Sequence, residues 1–337
     1  MFADAIQQMI YALAGCRRVL LTTHANPDGD ALGTTAAMAV GLERKGVEAE
    51  CLLLTPQPNK YEFVYGDANV KWHVISEAAS IGALLAKFDA LLVCDTGTWS
   101  QLPGLREAVS KFAGKRLVLD HHVTQEDWAD LKLVDTQAGA AAEIAMELLK
   151  RWGVAIDQRL AQPLYVAMAT DTGWFAYSNT SARTMRLAAE CLEAGVEPNA
   201  LYQRLYQSER SRRLMLHAAG YNSLELLADE QLAVMQVTKA DFGRTGTKTP
   251  ATEDLVNWPM AIGAVELSIF LAENPDSADG RPTKLSFRSK GRVDVAKLAE
   301  QFGGGGHPRA AGARIDAPLM EARRRVVEAA LAHFATV

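Results

Sequence analysis

Three short runs, RVLLTTH, ALLVCD and RLVLD, are apolar nearly from end to end, and each stops at an acidic or imidazole group. Strands with one solvated face alternate apolar and polar residues. Continuous apolar runs of this length belong instead to parallel strands covered on both faces. A fourth run, AECLLL, has the same character, and a helical segment such as ALGTTAAMAVGLERKG falls between the runs. This βα alternation predicts an α/β fold built on a mostly parallel, doubly wound sheet. In such sheets ligands bind at the carboxyl ends of the strands, which is where the polar groups lie.

The pattern changes at Gly139. GAAAEIAMELLKRWG, DQRLAQPLYVAMATDTG and SARTMRLAAECLEAG are predicted as consecutive helices, with Asp157 and Ser181 as N-caps of the last two and Gly195 as a stop. Residues 196–227 are predicted to be a helical connector, basic in its middle. Beyond it, QLAVMQVT, AVELSIFLAE and KLSFRS have strand character, while DVAKLAEQF and the last twenty residues have helical character. GRTGTKTPATED and ENPDSADGRP are expected to be surface loops. At 337 residues the chain is too long for one core, so the expected organisation is two domains, an α/β domain over 1–195 and a smaller α+β domain over 228–337.

Composition narrows the partners. Charged residues are 22% of the chain and the net charge is −5, which does not suit long nucleic acid or an anionic membrane but leaves room for a short phosphorylated substrate. The four cysteines have no CxxC spacing and are expected to be free, buried thiols of a reducing compartment. The N-terminal segment is expected to be an amphipathic helix rather than a signal peptide. No apolar run approaches the roughly 18 residues that cross a bilayer, so a cytoplasmic location is expected.

His24, Asp28 and Asp30 follow the first strand, Asp95 ends another, and Asp120, His121 and His122 end a third, with Asp171 after the run YVAMAT. An aspartate after a strand is by itself often only a helix N-cap, and a lone histidine such as His73 or His217 is often only a satisfied side chain. Four such clusters at successive element ends are a different matter. Crowded carboxylates and imidazoles repel unless positive charge lies between them, and a pair of divalent cations about 3.5–4 Å apart is the usual answer in phosphate-ester hydrolysis. Asp and His without Cys favour Mn²⁺, with Mg²⁺ or Co²⁺ as alternatives, over a thiolate zinc site. Pro27, Gly29 and Gly33 are expected to let the first loop turn tightly and aim its two aspartates at different ions.

A second cluster lies at QFGGGGHPRAAGARI. Gly303, Gly304, Gly305 and Gly306 are expected to form a loop whose bare amides cradle phosphate, with His307 and Arg309 as donors beside it. Arg288, near a strand end, offers a planar guanidinium suited to phosphate oxygens. The run lacks the Lys-Ser/Thr of a P-loop and does not match the dinucleotide fingerprint.

HANPDGDALG, VCDTG, DHH and ATDTGWF, followed by GGGGHPRAAG, resemble the DHH phosphoesterase superfamily with a C-terminal DHHA1 domain. The resemblance spans nearly the whole chain, and the compact form is similar to the nano-RNases (oligoribonucleases) of that superfamily, which also act as 3′-phosphoadenosine 5′-phosphate phosphatases. It implies two Mn²⁺ ions, one on His24, Asp28 and Asp95 and one on Asp30, Asp95, His121 and Asp171. It implies that Asp120 orients an imidazole and that His122 holds or protonates the phosphoryl group. The second domain would grip the terminal nucleotide through Arg288, His307 and the glycine loop. The substrates implied are short single-stranded RNA oligonucleotides and phosphorylated nucleotides, with no membrane partner; a homodimer is admitted. A phosphodiesterase of linear or cyclic dinucleotides, or an exopolyphosphatase or pyrophosphatase, are the alternatives among enzymes. Outside enzymes the alternative is a nucleotide-binding module, whose signature would be lost ligands.

Overall fold

The computed structural model describes residues 2–273 and 282–334, and the chain divides into two compact units between Ser208 and Glu209. The first unit carries a sheet of β1 (Arg18–Thr22), β2 (Glu48–Leu53), β3 (Trp72–Val74), β4 (Ala90–Cys94), β5 (Lys115–Asp120) and β6 (Leu131–Val134). All neighbours are parallel, in the order β3-β2-β1-β4-β5-β6. Around it lie α1 (Phe2–Ala14), α2 (Gly29–Arg44), α3 (Glu62–Ala68), α4 (Ala78–Leu85), α5 (Leu105–Ser110), α6 (Ala141–Arg151), α7 (Gln158–Asp171), α8 (Ala182–Glu193) and α9 (Pro198–Tyr206).

Successive strand residues point to opposite faces, so a continuous apolar strand feeds two cores. Val19, Leu21, Leu92 and Leu119 join the core made with α1, α2, α6 and α7, whereas Leu20, Leu91, Val93 and Val118 join one made with α4 and α5. Asp157 and Ser181 cap α7 and α8 as expected, and all four cysteines are buried and free.

Gly29 and Gly33 differ from expectation. Both lie inside α2, and what they provide is close approach rather than a turn. A Cβ on Gly29 would fall 2.2 Å from the Thr170 hydroxyl, and one on Gly33 would fall 2.3 Å from the Pro163 carbonyl oxygen. Only hydrogen at these positions lets α7 lie against α2. The end of α7, Asp171, therefore arrives beside the start of α2, Asp30.

The expected connector is split between the units. Leu201 and Leu205 of α9 pack into the first unit's core, while α10 (Ser211–Asn222) sends Leu216 into the second unit. The second unit adds β7 (Glu225–Leu227), β8 (Leu232–Val237), α11 (Lys239–Thr245), β9 (Leu267–Glu273), β10 (Thr283–Ser289), α12 (Val295–Glu300), β11 (Gly305–His307), β12 (Ala310–Ile315) and α13 (Leu319–Leu331). Its sheet runs β11-β12-β10-β9-β8-β7, with β8 and β9 parallel and the other pairs antiparallel. GRTGTKTPATED holds the end of α11 and a single 3₁₀ turn, because Thr238 and Asp241 form a capping box that starts a helix sooner than the glycines suggest. ENPDSADGRP falls almost wholly outside the described residues. Among the described residues no helix is long and apolar enough to cross a membrane.

Candidate metal centre

The strand order reverses direction between β1 and β4, and an open α/β sheet has its crevice at that switch point. His24 lies two residues beyond β1, Asp95 directly follows β4, and His121 directly follows β5. Asp28 and Asp30 stand at the start of α2, and Asp171 closes α7. The fold thus brings every sequence-predicted ligand to one place. Donor atoms of His24, Asp28 and Asp95 lie within 4.8 Å of one another, as do those of Asp30, His121 and Asp171. Asp95, His121 and His122 meet the same spacing.

Several of these side chains are fixed by hydrogen bonds within the protein. Asp28 caps α2, its Oδ1 accepting from the amides of Asp30 and Ala31, both at 3.0 Å. Asp30 is buried at the amino end of α6, where the Ala141 amide donates to Oδ2 at 2.6 Å and the Ala142 amide to Oδ1 at 3.1 Å. Thr34 adds its hydroxyl at 2.8 Å. Asp95 has a left-handed backbone, φ 61°, which is uncommon for a non-glycine residue and turns the chain sharply out of β4. Asp120 accepts from the amides of His121 and His122 and from Nδ1 of His122 at 2.8 Å, while Gln125 donates to its other oxygen. The imidazole that Asp120 orients is therefore that of His122. His121 is held instead through Nδ1 by the Ala138 carbonyl oxygen, 3.1 Å away.

The donor chemistry fits a cation. Nδ1 of His24 faces the Ala25 carbonyl oxygen at 3.0 Å, and His121 makes the equivalent contact with Ala138. A carbonyl oxygen only accepts, so Nδ1 carries the proton in the neutral ring and Nε2 carries the lone pair. Those lone pairs point at Asp95, with Nε2 of His24 3.5 Å from Oδ2 and Nε2 of His121 3.3 Å from Oδ1. Asp95 Oδ1 is buried and accepts no well-formed hydrogen bond. A lone pair facing a carboxylate oxygen is repulsive unless a proton or a metal ion stands between them.

Without metal, protons do so. For His24, burial works to lower the pKa, but the bond to Asp95 with the charges of Asp95 and Asp28 outweighs it and holds the ring at about 9. For His121, burial is likewise outweighed by Asp95, Asp30 and Asp171, giving about 10. Burial, then Asp95 and Asp28, raise Asp171 to about 6 against the pull of His121. Asp30 is pushed well above the ordinary carboxylate value by burial and by Asp95 and Asp171. A site that must hold this many protons to be stable is one that divalent cations would relieve.

The second unit gathers two of its predicted residues. Arg288 of β10 and His307 of β11 are both paired with Ala310 of β12, so they sit in one row across three strands. Directly opposed residues of an antiparallel pair share a face, which places both side chains on the same side of the sheet. Arg288 is half-buried, burial lowers its pKa, and its guanidinium donates to the Phe287 carbonyl oxygen at 2.9 Å. The glycine run is not an open cradle. The amides of Gly303 and Gly304 close α12 on Glu300 and Ala299, and Gly305 and Gly306 lie in β11. The Arg309 guanidinium lies beside Gly291 rather than in the Arg288–His307 row, where a Cβ on that glycine would fall 3.4 Å from it.

Sequence reasoning missed Thr34, Gln125 and the backbone of 138–142. Thr34, four residues after Asp30 on a helix, carried a readable signal. The amides of Ala141 and Ala142 and the carbonyl of Ala138 carried none. His73 and His217, set aside as satisfied side chains, bond to Glu50 and to the Ala251 carbonyl oxygen.

A family model described as the DHH family, N-terminal domain, matches residues 18–168, and one for the DHHA1 domain matches residues 230–335. The bifunctional oligoribonuclease and PAP phosphatase NrnA of Bacillus subtilis is 27% identical over 301 residues, covering 88% of this chain and 89% of its own. The protein of the same name from Thermus thermophilus is 28% identical over 319 residues, covering 92% and 88%. Among solved structures, an exopolyphosphatase-related protein of Bacteroides fragilis superposes with a TM-score of 0.86 at 22% identity, over 98% of this chain and 97% of its own. At that identity the likeness speaks for the fold alone.

Proposed function

We propose, for a chain that belongs to the DHH/DHHA1 superfamily, that it is a cytoplasmic two-metal phosphoesterase that hydrolyses short RNA oligonucleotides to mononucleotides and 3′-phosphoadenosine 5′-phosphate to AMP. The observation that carries the metal assignment is the pair of Nε2 lone pairs, from His24 and His121, turned onto the buried Asp95. The names of the NrnA relatives support the substrate class. His24, Asp28 and Asp95 would hold one ion, and Asp30, Asp95, His121 and Asp171 would hold the other, with Mn²⁺ expected to be preferred. When bound, such a pair neutralises charge on the phosphoryl oxygens and acidifies a water.

The chain's own residues do the rest. Asp120 takes the Nδ1 proton of His122 as a hydrogen bond, which leaves Nε2 to carry a proton to the leaving oxygen. That ring is half exposed, as a group that meets substrate must be. The water oxygen forms the new bond to phosphorus and gives up a proton to solvent, the bond to the leaving nucleotide breaks, and His122 supplies the proton that the departing oxygen takes up and regains one from solvent. Arg288 and His307 bind the terminal nucleotide or its phosphate through charge-assisted hydrogen bonds. The test is an assay of metal-stripped protein, reloaded with Mn²⁺, Mg²⁺ or Co²⁺, on a dinucleotide, phosphoadenosine phosphate, pyrophosphate and a cyclic dinucleotide. Hydrolysis of the first two, best with Mn²⁺, is expected. Turnover of only pyrophosphate or only the cyclic dinucleotide would replace this reading with another hydrolase.

A further inference from the structure

The chain leaves α7 through a loop that the metal centre does not account for. Gly173, Trp174 and Phe175 all have positive φ, at 58°, 58° and 66°. Two large aromatic residues in succession in the left-handed region are costly, and such strain persists only where the surroundings impose it. Here they do. The Trp174 amide donates to the Ala169 carbonyl at 2.6 Å, and the amides of Ala176 and Tyr177 both donate to the Thr172 carbonyl at 3.0 Å. The Asn179 side chain ties the far end of the loop to the carbonyls of Gly139 and Asp171.

The outcome for the three aromatic rings differs. Trp174 sits edge-on against Tyr165, Tyr202 and Tyr206, and Phe175 against Tyr165. Tyr177 is left out of this packing and is 63% exposed. Its ring instead covers Gly173. A Cβ on that glycine would fall 2.4, 2.5 and 2.6 Å from Cζ, Cε1 and Cε2, near-equal distances that place the ring face, not its edge, over the backbone. One face of Tyr177 is thus seated on the glycine next but one to Asp171, and the ring keeps a large open surface. A core tyrosine does not need this arrangement, and an ordinary surface tyrosine does not need a strained loop to hold it.

We propose that Tyr177 is the stacking platform for the nucleobase of the nucleotide whose phosphate lies at the metal centre. The proposal rests on the phosphoesterase reading above. Every base has a π-face, so a ring held flat binds nucleotides with little regard to sequence, as suits an enzyme of short oligomers. It also accounts for Gly173, since any side chain there would lift the ring.

The test is calorimetric binding of AMP and of ribose 5-phosphate to the metal-loaded protein, for the parent and for Tyr177→Ala, Tyr177→Phe and Tyr177→Trp. Tyr177→Ala is expected to weaken AMP by about tenfold or more, with Phe and Trp near the parent and ribose 5-phosphate equal in all four. On a dinucleotide the loss should appear in KM rather than kcat. An unchanged AMP affinity in Tyr177→Ala, an equal loss for ribose 5-phosphate, or failure of Phe to restore binding would each overturn the platform. Turnover by the parent protein reports separately on the proposed function, so a parent that binds AMP through Tyr177 but cleaves no oligonucleotide would refute that reading and leave the platform standing.

Discussion

The two sheets of this molecule treat charge in opposite ways. In the first unit Asp30, Asp95 and Asp120 are buried at strand and helix ends, with Asp30 and Asp120 held by hydrogen bonds and Asp95 Oδ1 left without one. In the second unit the charge is cationic and lies on the face of a half-covered sheet. Residues 283, 285, 287 and 289 of β10 are buried, whereas Lys284, Ser286 and Arg288 alternate with them on the other side. A parallel sheet covered on both faces can expose chemistry only at its strand ends. The antiparallel strands β10 and β12 of a mixed sheet can offer side chains along their length as well as at their ends. The first arrangement suits a few rigid ligands for ions, and the second suits the grip on an extended anionic substrate.

The sharpest way to break this contrast is at Asp95, the residue that both proposed ions would share. Asp95→Asn should lower turnover by about a thousandfold or more and reduce bound Mn²⁺, with the circular dichroism spectrum unchanged. A variant that keeps two ions and a tenth of the rate would show that the site is not organised around this carboxylate.

A smaller effect is expected in the second unit. Arg288→Ala and His307→Ala should each raise KM for a dinucleotide by about 10- to 150-fold, corresponding to roughly 1.5–3 kcal/mol for a charge-assisted bond. Both should retain their metal and cleave bis-p-nitrophenyl phosphate at near the parent rate. Equal losses on both substrates would move these residues to the reacting phosphorus and erase the division between the units.

The smallest effect is on stability and belongs to the first unit alone. In the metal-free protein His24 and His121 titrate at about 9 and about 10, above the ordinary 6.5, because carboxylates outweigh burial. A raised imidazole contributes stability that is complete below pH 6.5 and lost as pH climbs through 9 and 10. The Tm of stripped protein should therefore fall by a few degrees over that range. Saturating Mn²⁺ replaces the two protons and should raise Tm most at the alkaline end. A stripped protein whose Tm stays flat from pH 6.5 to 9.5 would mean that the rings do not face ionised carboxylates.

Much of this was legible because burial leaves a mark on composition. β1, β2, β4 and β5 are continuous apolar runs and were readable as strands. β3 (WHV) and β6 (LKLV) are edge strands of three and four residues, too short and too mixed to separate from loop. The candidate metal ligands stood out because acidic and imidazole side chains at strand ends are chemically conspicuous. The groups that hold them are mostly amides and carbonyls, which every residue possesses, so Ala138, Ala141 and Ala142 left no trace. The glycines misled in both directions. Gly29 and Gly33 serve packing rather than turning, and half of the four-glycine run is strand, because the lack of a side chain permits close approach and extension as readily as a bend.

The fit of α2 against α7 also has a bearing on how the protein is made. The groove that Gly29 and Gly33 open in α2 is filled by residues 163–170, which a ribosome reaches only after the sheet strands β1 to β6 have been synthesised. At 5–20 residues per second the interval is on the order of ten seconds. During it Asp28, Asp30 and Asp95 exist without Asp171, and α2 has no neighbour for its notched side. Helix α7 therefore both fills the groove of α2 and brings the fourth carboxylate, so the nascent chain acquires Asp171 together with the packing that positions it.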